Sequence, residues 1–407
     1  MTGARHRPAW AEIDLGAVRH NAGVLARLAA PAQLCAVVKA DAYGHGALVV
    51  ARAALEGGAS WLAVALVDEG VALREAGIEA PILLLSEPPP GAMADAVAAG
   101  LVPTLYTAAG IDALARAAGA VAPGRQVAVH LKVDTGMHRV GADPSDVPAL
   151  AERIAGHPAL VAAGLWTHLA VADGPGDDDR AFTAAQLETL DRVRGALSAA
   201  ALPASGAAAL PAAGAAAGLV VHAANSAAAL AHPAARLDLV RCGIALYGEL
   251  PASHLAGELE GAGEALRPVL SLRARVAHVR ELDAGARPSY GRHRPLPARS
   301  VVATVPLGYA DGVPRRLFET GGEVLIGGVR RPLAGMVTMD QIVVDCGPPG
   351  SGPPVAVGDE VVLLGTQGRE RIGPGQWAAQ LGTISYEILC GIGPRVPRVP
   401  LDGDPPD

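Results

Sequence analysis

Aromatic side chains are scarce in this chain: 407 residues contain two Phe, four Trp and six Tyr, 3% in all. Ala, Val and Leu must therefore carry most of the packing. Cysteine is sparse as well. Cys35, Cys242, Cys346 and Cys390 lie far apart, and no pair has metal-ligand or redox-motif spacing. No metal site is expected, and reduced thiols in a cytoplasmic protein are the default. Basic residues are outnumbered, giving a net charge of −7 and no basic footprint for nucleic acid. The N-terminal MTGARHRPAWAEIDL has no continuous apolar run of the kind a signal peptide needs. From 195 to 235 no charged residue occurs, but the stretch is Ala and Gly, broken by Pro203 and Pro211, so no membrane span is expected. Within it, residues 204–218 read as a low-complexity loop insertion.

What is abundant is small and apolar: 51% hydrophobic residues with 50 Gly and 33 Pro, in a chain long enough for a large core and two domains. Short apolar runs at 34–39, 61–66, 82–85, 102–105, 127–133, 163–168, 220–223 and 239–246 read as strands. The segments between them have helical spacing, as in Phe182, Leu187, Leu190, Val193 and Leu197. Eight strands alternating with helices predict an N-terminal (β/α)8 TIM-type barrel over 9–250, with a doubly wound sheet as the alternative. After about Gly248 the texture changes. β-Branched runs at 269–282, 301–306, 323–326, 341–345 and 359–364, separated by Gly, Pro and Asp, predict a mostly-β C-terminal domain over 251–400, with one short helix at 375–382. Residues 9–15 look like a strand that joins this second domain.

The first run, LCAVVK, ends in a lysine and opens into the loop DAYGHG. A lysine among apolar neighbours is costly unless it serves a site, and the C-terminal ends of barrel strands are where functional groups gather. Lys39, Arg139, His168, Asn225 with Ser226, and Arg241 to Gly243 all fall at such ends. A lone lysine is more often a snorkelling surface amine, and a lone histidine a satisfied core residue. Their convergence on one rim fits a pyridoxal phosphate site, where the amine forms a Schiff base and the barrel end supplies anion-binding donors.

Nine motifs occur in the order found in bacterial alanine racemases: AVVKADAYGHGA, LKVDTGMHRVG, THLA, HAANSAA, VRCGIALYG, PSYG, LGYADG, MDQ and ISYE. SYG or MDQ alone means nothing. Nine in order, running to about Arg398, make the chain resemble that family over essentially its whole length.

The resemblance implies pyridoxal 5'-phosphate as cofactor and two catalytic groups, Lys39 and Tyr290, on opposite faces of the substrate. Tyr43, Ser226, Gly243, Ile244 and Tyr386 match cofactor phosphate contacts, and Asn225 falls among the cofactor-binding residues. Arg241 matches an arginine facing the ring nitrogen. As a permanent donor it would keep that nitrogen unprotonated, which suits racemisation over transamination. His168 matches a histidine linking Arg241 to the phenol. Arg139, Tyr309, Met339 and Asp340 match substrate-side residues, and Lys132 matches a lysine often carbamylated. The resemblance further implies an obligate homodimer, with Tyr290, Met339 and Asp340 reaching the partner's site, and a role in supplying D-alanine for peptidoglycan.

The segment CGIGPRVPR departs from the family's pattern at Gly393 and Pro394, where altered packing near the entrance is expected. His138, beside Arg139, is a candidate for tuning the carboxylate pocket. The alternatives are a broader alanine/serine racemase and a non-catalytic pyridoxal-phosphate carrier barrel. A decarboxylase is argued against by Arg241, and a carrier by the second domain.

Overall fold

The computed structural model describes residues 6–199 and 218–402. The insertion expected at 204–218 lies outside them except for Gly218. Two compact units form: a barrel unit of 18–42, 47–199 and 218–267, and a β unit of 6–17, 43–46 and 268–402. The chain opens with strand β1 (Ala9–Asp14), which belongs to the β unit.

The barrel strands are β2 (Gln33–Val37), β3 (Trp61–Val64), β4 (Ile82–Leu84), β5 (Thr104–Leu105), β6 (Val127–Lys132), β7 (Leu160–Trp166), β8 (Val220–His222) and β9 (Leu239–Cys242). All pairings among them are parallel, in the orders β4-β3-β2-β9 and β5-β6-β7-β8. Two thin seams join these halves. At one, Leu83 bridges Val102, with Val102 N donating to Ile82 O at 2.9 Å. At the other, Asp238 N donates to Val221 O at 3.0 Å and Arg241 N to Ala224 O at 2.9 Å. The eight-stranded ring is thus closed, and the doubly wound alternative is excluded.

Several strand bounds differ from the expectation. β5 is reduced to two residues because Val102 makes only the seam bridge. The run 239–246 stops at Cys242 and becomes a 3-10 turn over Ile244–Tyr247. Most consequential, β2 ends at Val37, so Lys39 does not close the strand; it begins the turn that follows.

In the β unit, the run 269–282 splits into β10 (Leu270–Arg275) and β11 (His278–Leu282). Then come β12 (Ser300–Val305), β13 (Glu323–Ile326), β14 (Val329–Pro332), β15 (Ile342–Asp345), β16 (Glu360–Gln367), β17 (Glu370–Ile372) and β18 (Arg398–Leu401). One sheet runs β14-β13-β16-β10-β1-β18 with β17 on β16, and a second runs β11-β12-β15. Pairing is antiparallel except β1 with β18. Alternation places Leu270, Leu272 and Ala274 inside, while the intervening Ser271 and Arg273 are only partly buried.

Candidate active site

The barrel interior holds a band of polar and aromatic side chains where Val or Leu would be ordinary. Trp61 of β3, His130 of β6, Trp166 of β7, His222 of β8 and Arg241 of β9 are all buried. Register sets them side by side: Lys132, Trp166 and His222 share one row, and Cys35 pairs with both Trp61 and Arg241. The Trp166 and His222 rings stack at 5.4 Å with planes 8° apart. The His130 ring needs an empty neighbour. A Cβ at Gly164 would lie 2.5 Å from His130 Nδ1, so β7 must carry glycine opposite it.

Hydrogen bonding in this band fixes the proton positions. Arg241 Nη1 donates to His222 Nδ1 at 2.8 Å, and a guanidinium can only donate. His222 therefore carries its proton on Nε2 and donates it to His130 Nδ1 at 2.9 Å. His130 in turn carries its proton on Nε2, which is buried without a partner. Both imidazoles are neutral: burial first, and the Arg241 charge second, push His130 down to about 3 and His222 well below its ordinary range. Arg241 Nη2 also donates to Thr167 O at 3.0 Å and Ala223 O at 2.9 Å, and its guanidinium lies 4.5 Å from the Trp166 ring centre. Nε–H and the second Nη1–H remain available to a ligand acceptor.

His168, expected to link to Arg241, has Nδ1 at 3.5 Å from Arg241 Nη2, the limit of a hydrogen bond. Burial, followed by the charges of Arg241, Lys132, Arg139 and Lys39, brings it down to about 2. Four of the expected site cations thus converge on one imidazole. Lys132 is buried at the end of β6, its Nζ 4.2 Å from the Trp166 ring centre and 3.5 Å from Leu85 O. Burial first, then Arg241 and Arg139, lowers its amine to about 7. Asp134, Arg139, Thr167 and His168 line a small recess beside it. Asp134 Oδ1 shapes the loop to Arg139 by accepting Gly136 N at 2.9 Å and His138 N at 3.0 Å. His138 itself points outward, with a left-handed backbone (φ 53°) and Nδ1 3.4 Å from Asp134 Oδ2.

Lys39 leads into an unusual segment. Ala40, Asp41, Ala42 and Tyr43 have φ between 52° and 55°, followed by Gly44 at 80°, so the chain makes a left-handed helical turn. Each non-glycine residue there costs about 1–2 kcal/mol. Offsetting bonds hold it: Ala40 N donates to Glu69 Oε1 at 2.5 Å, Ala42 N to Val38 O at 2.9 Å, and Ala47 N to Asp41 Oδ1 at 2.7 Å. The turn leaves Lys39 half-buried at the barrel's C-terminal rim.

After β8, Asn225 caps the short helix Ser226–Ala231 by accepting Ala228 N at 3.0 Å. Gly243 N and Ala245 N both converge on Ser226 Oγ, at 3.0 and 3.3 Å, and Ile244 is buried at the start of the 3-10 turn. Two backbone N–H groups are thus spent on one hydroxyl at a helix start, and that hydroxyl keeps its own O–H to donate to an anion.

In the β unit, Tyr43 packs 6.0 Å from Tyr386, ring centre to ring centre. Tyr290 is 74% exposed, at the tip of a turn where Ser289 (φ 67°) and Arg292 (φ 48°) are left-handed. Ser289 Oγ anchors that turn by donating to Met336 O at 2.6 Å. Tyr309 and Met339 are exposed and joined by backbone, Tyr309 N to Thr338 O at 3.0 Å and Ala310 N to Met339 O at 3.1 Å. Asp340 is paired with Arg395 at 2.7 Å.

Comparison with known families decides the relationship. The model for the alanine racemase N-terminal domain matches residues 13–251, and that for the alanine racemase C-terminal domain matches 269–400. The chain belongs to the alanine racemase family. It is 46% identical to the alanine racemase of Symbiobacterium thermophilum, covering 96% of this chain and 97% of that one. Among solved structures, the alanine racemase of Streptomyces coelicolor A3(2) superposes with a TM-score of 0.85 at 39% identity, covering 97% of this chain and 98% of that one. The Bacillus anthracis alanine racemase with bound L-Ala-P gives 0.85 at 34% identity, covering 98% and 96%.

For a member of the alanine racemase family, the donor set here fits a phosphorylated pyridine. Arg241 keeps two N–H groups for a ring nitrogen, and the Ser226 hydroxyl, which accepts from Gly243 N and Ala245 N, keeps its O–H for an anion. His222 and His130 were not singled out from the sequence as site residues. His222 opens HAANSAA only three residues before Asn225, and that proximity was the available signal. His130 lies two residues before Lys132 on the same strand face, a period-2 relation that places both side chains inside the barrel.

Proposed function

We propose that the chain is a pyridoxal 5'-phosphate-dependent alanine racemase that interconverts L- and D-alanine by a two-base mechanism. It would act in the cytoplasm as a homodimer with shared active sites, supplying D-alanine for peptidoglycan. Lys39 anchors the cofactor. Tyr43, Ser226, Gly243, Ile244 and Tyr386 hold its phosphate, Asn225 caps the helix that presents Ser226 to it, and Arg241 with His168 addresses its ring side. When bound, the cofactor supplies a carbonyl that captures an amino group and a ring that withdraws electron density from the substrate Cα.

The residues divide the proton work. With its amine neutral, Lys39 Nζ takes the Cα proton from one face, and Tyr290 Oη delivers a proton to the other. In the reverse direction the two exchange roles. Arg139, Met339 and Asp340 orient the substrate carboxylate, and Tyr309 narrows the approach to small side chains. A carbamylated Lys132 would convert a cation beside Arg139 into an anion that steadies it.

The observation that carries this reading is Arg241. Three of its donors are consumed by His222, Thr167 O and Ala223 O, and the group cannot give up its proton to the ring. Arg241 would thus keep a ring nitrogen facing it unprotonated, and charge developed at the substrate Cα would be returned there rather than spread further. A chiral assay of the reconstituted enzyme on alanine and serine tests the proposal. Rapid equilibration of L- and D-alanine is expected, with serine slower. Cofactor binding without turnover would point to a carrier, and comparable serine turnover to the broader racemase. Among the described residues, no helix is long and apolar enough to cross a membrane.

A further inference from the structure

The β unit contains a charge cluster that the proposed mechanism does not use. Asp311 is fully buried, which for a carboxylate demands compensation. Its Oδ1 accepts from Arg7 Nη2 at 2.8 Å and pairs with Arg395 Nε at 3.3 Å, and its Oδ2 accepts Gly308 N at 3.0 Å. Arg395 has a second branch: Nη2 donates to Asp340 Oδ1 at 2.7 Å. One guanidinium therefore bridges a buried acid and an exposed one that lie 29 residues apart in sequence.

The segments that Arg395 joins carry the expected substrate-side residues. Asp311 closes the turn that begins at Gly308 and bears Tyr309; Asp340 follows Met339 directly. The two segments are also joined by the backbone bonds of Tyr309 N and Ala310 N to Thr338 O and Met339 O. Their approach is so close that a Cβ at Gly308 would lie 2.3 Å from both carbonyl oxygens. The loop supplying Arg395 is itself fixed. Gly393 N donates to Asp311 O at 3.1 Å, and Arg398 binds Ile392 O and Gly393 O at 2.6 Å and Val396 O at 2.7 Å. Here the small Gly393, where a departure from the family pattern was noted, lies against Ala310: a Cβ would be 3.3 Å from Ala310 O.

We propose that Arg395 is a positioning residue for substrate recognition, holding Tyr309, Met339 and Asp340 as one edge by bridging Asp311 and Asp340. Its second effect is electrostatic. Arg395 neutralises Asp340, so the segment presented to an amino acid's carboxylate is not anionic. The inference rests on the assignment of Tyr309, Met339 and Asp340 to the substrate edge.

The test is steady-state kinetics of the holoenzyme on L-alanine for Arg395→Ala, Arg395→Lys and Asp340→Asn, with the cofactor absorbance recorded for each. For Arg395→Ala, KM should rise about 3- to 30-fold, the range between an exposed ion pair and a charged hydrogen bond, with kcat within about twofold and the cofactor spectrum unchanged. Arg395→Lys retains the charge and should recover part of the loss; it also serves as the readable variant should the alanine form fail to fold. In the double variant Arg395→Ala/Asp340→Asn the KM effects should be clearly non-additive. Additive effects, or an Arg395→Ala KM equal to wild type while Asp340→Asn and Tyr309→Ala shift it, would overturn the positioning role alone. If Asp340→Asn and Tyr309→Ala also leave KM unmoved, the substrate-edge assignment fails, and the proposal fails with it.

Discussion

Arg241 and His222 face each other from neighbouring barrel strands, Nη1 to Nδ1 at 2.8 Å, both sealed from solvent. This contact decides which tautomer His222 adopts, and through it the tautomer of His130. Replacing His222 by Phe keeps the stacking on Trp166 but removes the acceptor from a buried guanidinium. The expected loss is about 1–3 kcal/mol of unfolding free energy, the cost of an unmet buried donor. Urea denaturation measures it. A loss of activity should accompany it, because Arg241 is then free to turn away from its ligand.

The neutral imidazoles make stability depend on pH in a defined window. His130 is held at about 3 and His222 well below its usual range, against about 6.5 in the unfolded chain. In that interval the unfolded state binds protons the folded state refuses. Their contribution is therefore complete above about pH 6.5 and is lost as the pH falls toward 3, with each group approaching about 1.4 kcal/mol per pH unit. Denaturation series at pH 7 and 5 should show this slope, and His130→Phe should flatten it.

Lys132 is lowered in the same direction, and here the neutral form is a nucleophile. With its amine lowered to about 7, it is largely neutral, and so nucleophilic toward carbon dioxide, above that pH. Labelled bicarbonate at pH 8 should give a carbamate resonance that is missing in Lys132→Gln and disappears on acidification. A bare amine under these conditions would remove the anion assigned to steady Arg139.

Tyr290→Phe separates the two faces of the reaction. Exchange of the Cα proton with solvent deuterium should fall by roughly 100-fold or more from the enantiomer whose proton the phenol removes, 100-fold being the lower end of the range for a general acid–base group, and fall less from the other. Equal losses in both directions would argue against a two-base scheme.

The barrel was legible because each of its strands is a short apolar run, and Ala-rich helices between them keep their spacing. The left-handed turn after Lys39 was not, since Ala40, Asp41 and Ala42 have no local preference for positive φ; tertiary bonds from Glu69 and Ala47 impose it. In the β unit, β14, β17 and β18 escaped notice because they are three or four residues long and rich in Arg and Pro, which obscures a period of two. Site residues at strand ends were visible through motifs. The His222–His130 pair was not, because its meaning lies in a hydrogen bond between strands 92 residues apart.

The central claim is that Lys39, and no other amine, joins the cofactor. Lys132 makes this a demanding question, since it is buried nearby with an amine lowered to about 7. Borohydride reduction of the holoenzyme followed by peptide mapping answers it. The account predicts the pyridoxyl group on Lys39 alone, whereas a label on Lys132, the other of the chain's two lysines, would contradict it.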